Sequence, residues 1–417
     1  MTKSKVPLMQ IQDNKPDNSP QYGTTGFAKL PLWDLAFRPM FLLASVFSVL
    51  SLLVWIASIN GLIVYSGSLH LPALLWHVHE MIFGFALAIA VGFLLTAVQT
   101  WTGLRSLHGW GLILLTACWL IARFAFWKNQ AEWVLVGVVA QLGWWLIAIV
   151  SFARLVIKAQ QNRQMIFIAL LSFIAVFNAA FLYSAWLGHS ELALHLARTA
   201  ILFFTVIISV LAGRVIPFFT NRGAAHIFQP RGINIQTRSG LDIAILIITL
   251  LAAVVYFISF IVELSVVPAG LFISAGLIHL YRFAHWKTHL TFSVPLLWSL
   301  HLSYLALALG LIGLGLSYFF IELRFADALH IITVGAIGAM ILAMMARVSL
   351  GHTGRALMPH WLISFAFAFI LIAVVVRFVL VLLLMHLWAW NLSAILWSVS
   401  FLLFALIYFP VLIRARL

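Results

Sequence analysis

Long apolar runs follow one another along almost the whole chain, separated by short polar or basic stretches. A run of about 20 apolar residues crosses a bilayer as a helix. Twelve such runs are present, at roughly 40–62, 75–98, 108–127, 132–156, 165–187, 191–216, 240–262, 266–284, 292–320, 326–347, 360–384 and 388–412. They lack the alternation of a membrane barrel. The fold class expected is therefore all-α, a polytopic membrane protein with twelve transmembrane helices. Residues 1–32 break the pattern. They are polar, rich in Lys, Asn, Asp, Gln and Pro, and contain no apolar signal-peptide core. The division expected is a mobile cytoplasmic tail over 1–32 and a transmembrane domain over 33–417.

Composition agrees. The chain is 64% hydrophobic and 8% charged, where a soluble domain carries about 25% charged residues. A net charge of +14 suggests nucleic acid as a partner, but the basic residues sit at span ends rather than in one patch, and that reading is excluded. With the tail inside, 19 of the 24 basic residues fall in inner segments and only Arg123, Lys128 and Arg324 outside. Arg198 and Arg377 lie within spans. This positive-inside bias supports twelve spans with both termini cytoplasmic. The single cysteine, Cys118, lies in an apolar span and is expected to pack as a small hydrophobe.

Spans 2, 6 and 10 share a pattern. Each carries histidine early and leaves through a similar phrase: TAVQTWTG, AGRVIPFFTNRG and MARVSLGHTGR. His79, His195 and His330 precede Thr102, Thr220 and Thr353 by 23, 25 and 23 residues. At about 1.5 Å per residue, all three lie roughly 35 Å from the inner-end threonine, in one layer near the outer face. Three four-helix units around a pseudo-threefold axis would produce this arrangement; so would the similar composition of span ends.

Polar groups cost free energy inside a bilayer and are usually retained there for function. Imidazoles at one depth suit ligation of haem iron or copper. In WHVHE, His77 and His79 are about 200° apart on a helix and cannot face one ion together. Glu80 follows His77 by three and shares its side, where it could support an imidazole or carry protons; solvation at the headgroup level is the alternative. His330, with Thr333 three residues on and Asp327 three before, could ligate iron or form a packing hydrogen bond. His79 and His330 on separate helices would suit a six-coordinate haem. His195 is followed at three residues by Arg198, which needs an anion such as a haem propionate or Glu191, or else snorkels. His301, with Tyr304 three residues on, is a candidate for metal or haem ligation, for a proton path, or for packing. Met340, Met344 and Met345 offer thioethers that suit Cu(I), but packing explains them better. No phosphate-cradling loop, HExxH or CxxCH motif is present.

The phrases WHVHEMIFGFALAIAVGFLLTAVQTWTG, GRVIPFFTNRG, LWSLHLSY and LHIITVGAIGAMILAMMARVSLGHTGR, with AFRPMFLLA ahead of them, together resemble the NnrS family. The resemblance runs from about residue 34 onward. It implies a haem- and copper-containing protein of the bacterial inner membrane, linked to nitric oxide metabolism, denitrification and nitrosative stress, with His77, His79, His301, His330 and His352 on the family's phrases. His195 lies outside them. The architecture is also similar to the catalytic subunit of haem–copper oxidases and nitric oxide reductases, a fold-level analogy that carries no activity. This chain lacks an adjacent His-His pair, unlike a full two-haem-plus-copper set.

The function expected is a membrane protein with haem b, and copper as a further candidate, that binds or processes NO or an NO–iron adduct. His79 and His330 would bracket one haem, with His77, His195 and His301 as candidates for a second centre. Membrane lipid and an electron donor are the other partners expected. The competing reading is a transporter or exporter of a small molecule or iron complex, with Gly84, Gly92, Gly335 and Gly338 allowing broken helices at a midplane site. A signalling protein is disfavoured because no soluble output domain is present.

Overall fold

The structure, a computed structural model, describes residues 26–63, 67–68, 70–128, 130–264 and 266–417. Among the described residues, twelve helices are long and apolar enough to cross a membrane: α1 Phe37–Ile59, α2 Ala73–Thr102, α3 Gly109–Trp127, α4 Ala131–Lys158, α5 Asn162–Trp186, α6 Ser190–Gly223, α7 Ser239–Ile258, α8 Val267–Ala284, α9 Pro295–Leu316, α10 Phe325–His352, α11 Trp361–Leu382 and α12 His386–Ile413. Each falls on one expected span. The clearest differences are at the C-terminal ends of α6 and α10, which continue to Gly223 and His352. Their last turns, around TNRG and SLGH, are polar: Thr220, Ser349 and Leu350 are buried, while Arg222, Gly223 and Gly351 are exposed, so these turns extend the helices beyond the apolar run that a lipid criterion detects. Of the segment expected as a tail, residues 1–25 lie outside the described residues. Gly26–Lys29 and Pro31–Trp33 are short 3-10 turns with Ala28 and Trp33 buried.

Every helix touches the next in sequence, and α12 closes back on α1. Arg38, buried in the first turn of α1, secures that closure. Its Nη1 donates to the carbonyls of Leu412 at 2.9 Å and Arg414 at 2.6 Å, satisfying acceptors that the end of α12 leaves unpaired. Inside the ring, α2, α6 and α10 touch one another. In their most apolar stretches 83%, 78% and 78% of residues are buried; α9 reaches 72%, and the other eight range from 28% to 50%. Spans 2, 6 and 10, which carry His77, His79, His195 and His330, are therefore among the inner ones. Helices apolar all round belong inside such a bundle.

Two inner helices are not regular. In α2, Glu80–Ala86 widens into a π turn, with Leu87 N–H reaching Ile82 O five residues back. In α10, Ile331–Gly338 does the same, with Ala339 N–H reaching Val334 O. Both turns start directly after a histidine. The widening in α2 turns the Gly84 carbonyl outward, where Trp119 Nε1 donates to it at 2.8 Å. A side chain at Gly84 would collide with the Arg123 guanidinium and the Glu80 carboxylate. Local π turns of this kind concentrate at functional sites.

Candidate functional site

A cavity of about 590 Å³ lies among the first turns of α2 and α10, with α1, α6, α11 and α12 completing its wall. Cofactor and small-molecule sites span roughly 300–1,000 Å³. His77, His330, Thr333 and Arg198 all line it. The His77 ring stacks on Trp55, with centroids 4.5 Å apart and planes 13° from parallel. Its Nδ1 is buried with no hydrogen-bond partner in the protein, which costs about 1–3 kcal/mol unless something else meets it. His330 is held differently. Its Nδ1–H donates to the Ala326 carbonyl one turn back, at 2.6 Å. A neutral imidazole with Nδ1 protonated carries its lone pair on Nε2, the arrangement that prepares a histidine for a metal.

The wall is positively charged. Buried Asp327 accepts from Arg324 Nε at 2.7 Å and from Arg377 Nη1 at 3.0 Å. Arg198 also lines the cavity, with its guanidinium 5.4 Å from the Phe325 ring centre. Three guanidiniums against one carboxylate leave a formal +2. Arg377 is buried and Arg198 half-buried, and cations at that depth call for an anion, whereas Arg324 is exposed at the rim.

The structure does not bring the other expected residues to this cavity. His79 points to the opposite side of α2 from His77, as the 200° spacing requires. It is fully buried against Phe126 and Phe181. Glu80, expected on the side of His77, instead accepts from His79 Nδ1 at 2.8 Å and pairs with Arg123 Nε at 3.0 Å. The π turn starting at Glu80 changes the local pitch, and the buried Arg123 supplies the opposite charge. Thus the imidazole beside His330 is that of His77, not of His79. His195 Nε2 donates to the Phe257 carbonyl at 3.1 Å while its ring stacks on Tyr256.

His301 and Tyr304 belong to closed hydrogen-bond networks elsewhere. His301 Nε2 donates to Thr220 Oγ1 at 2.8 Å, and Thr288 Oγ1 donates to its Nδ1 at 2.9 Å, so both ring nitrogens are occupied. Tyr304 accepts from Arg282 Nε at 2.6 Å and donates to His279 Nδ1 at 2.5 Å. His279 Nε2 then donates to Thr249 Oγ1 at 3.1 Å. Arg282 Nη1 pairs with Asp242 at 3.0 Å.

Sequence reasoning missed His279, although an imidazole inside span 8 three residues before Arg282 was a visible signal. It also missed Trp55 as the His77 partner. Nothing in a single sequence distinguishes that tryptophan from the others near span ends. Among the described residues, no three His, Cys, Asp or Glu side chains converge as a metal cluster.

Fold and site define a polytopic membrane protein with a histidine-walled, cationic cavity toward one end of its inner helices. The chain belongs to the NnrS family: the family model described as NnrS protein matches residues 31–416, nearly the whole chain. No curated protein matches it.

Proposed function

We propose that this protein holds haem b in the cavity lined by His77 and His330 and uses it to bind or process NO or an NO–iron adduct at the bacterial inner membrane. The observation that carries the reading is one cavity of about 590 Å³ lined by imidazoles from two separate helices. His77 Nδ1 lacks a protein partner, and His330 is oriented through its backbone bond. These two side chains would hold the iron. Arg198, Arg324 and Arg377 would hold the two propionates, whose charge matches the formal +2 of the wall. Trp55 would fix the plane of the His77 ring. Bound haem would supply an iron able to take a diatomic ligand once one of the two imidazoles gives way, and NO, small and uncharged, reaches such a depth through lipid. Turnover would add an electron donor as a partner; binding alone would not.

The positive-inside distribution supports cytoplasmic termini, and with that orientation the cavity would face the periplasmic side. Protein purified from haem-replete cells is expected to show a Soret band and one haem per chain. A colourless protein from such cells would contradict the proposal. One observation favours the transporter reading instead: the π turns at Glu80–Ala86 and Ile331–Gly338 flank the cavity and could let α2 and α10 bend. Gradient-dependent uptake by proteoliposomes lacking haem would establish that reading.

A further inference from the structure

A second, much smaller void of about 70 Å³ lies farther along the same three inner helices. Ile89 and Ala90 of α2, Ile208 and Ala212 of α6, and Met340 and Met344 of α10 are part of its wall. Every lining side chain is apolar. Ile337 lines both this void and the main cavity, so one side chain's thickness separates them. The two methionines are four residues apart and share a helix face. Their unbranched thioethers make a deformable wall.

Chemistry limits what such a space takes. A water needs roughly 10–15 Å³ and two to four polar partners; the void has the room but none of the partners. An ion or a hydrogen-bonding solute would lose its hydration without replacement. A dry apolar cavity of about 150 Å³ binds benzene or xenon, and this one is half that size or less. What remains is a nonpolar molecule of a very few atoms.

We propose that this void is a docking chamber for an uncharged diatomic gas, next to the main cavity and gated by Ile337. The identity of that gas as NO, and its use in the main cavity, rest on the function proposed above; the chamber itself does not. Its position on the inner helices gives a gas dissolved in the bilayer a waiting site that water and ions do not share.

Crystals of the full chain held under xenon pressure test this. Xenon is expected in the void. Ala212→Leu, which fills the space, is expected to abolish that xenon site while leaving the absorption spectrum of the main cavity unchanged. Should Ala212→Leu fail to fold, Met340→Ala enlarges the void and is expected to raise xenon occupancy. Ordered water in the void, a detergent or lipid chain threaded through it, or pressurised crystals without xenon there would overturn the chamber. Xenon bound in protein that never takes up haem would keep the chamber and sink the haem reading. A haem-loaded protein with no xenon in the void would sink the chamber alone.

Discussion

The cavity beside His330 and the network around His279 and His301 use the same residue types at membrane depth, yet they differ in completeness. At His279 and His301 every ring nitrogen has a partner from the protein, and a Tyr–Arg–Asp chain closes the charge. At the cavity, His77 retains an unpartnered buried nitrogen, as His79 Nε2 does on the far side of α2, but only His77 lines the open volume, where three arginines face one carboxylate. A buried polar group with all its bonds made is structural glue. One left incomplete beside an open volume points to a ligand. The lesson is that histidine in a span says little until its hydrogen bonds are counted.

That contrast can be broken from either side. The largest effect is expected at Glu80→Ala, which strands buried Arg123 and removes the His79 partner. Losing one partner of a buried pair costs about 3–5 kcal/mol, to be read as a lower unfolding midpoint of the purified protein, with haem per folded chain unchanged. Tyr304→Phe should cost about 1–3 kcal/mol by leaving His279 Nδ1 and Arg282 Nε without their hydroxyl. It too should leave haem content intact, and a loss of haem there would erase the distinction between the two regions. Arg198→Leu acts on the cavity instead. Loss of one charge-assisted bond, about 1.5 kcal/mol, corresponds to about tenfold weaker haem retention, measured by transfer to apomyoglobin, with thermal stability nearly constant. Trp55→Leu removes the stack on His77. At about 0.5–1.5 kcal/mol it should weaken retention a few-fold and shift the absorption bands.

The architecture was legible in the sequence because lipid imposes a condition on each span separately. Uninterrupted apolarity and the placement of Lys and Arg report it without tertiary information, and all twelve helices fall on their expected runs. The divergence of His77 from His79 was also legible, since helical pitch alone dictates it. Which of the two meets the cavity was not. That choice depends on Trp55 of α1 and Arg123 of α3, residues brought in by packing. The closed network was hidden for the same reason: Thr220 reaches His301 across 81 positions, and Tyr304 reaches His279 across 25. The partners that distinguish a packed imidazole from an available one are tertiary neighbours, and the π turn that redirects Glu80 has no signature in the hydrophobic pattern.

The central claim is that His77 and His330, and not His79, hold one haem. Absorption spectra of His77→Ala, His330→Ala and His79→Ala, each purified from haem-replete cells, test it most directly. Loss of the six-coordinate spectrum in the first two variants, with retention in the third, is the result this account requires. A His79→Ala protein that loses the spectrum while His77→Ala keeps it would contradict the account outright.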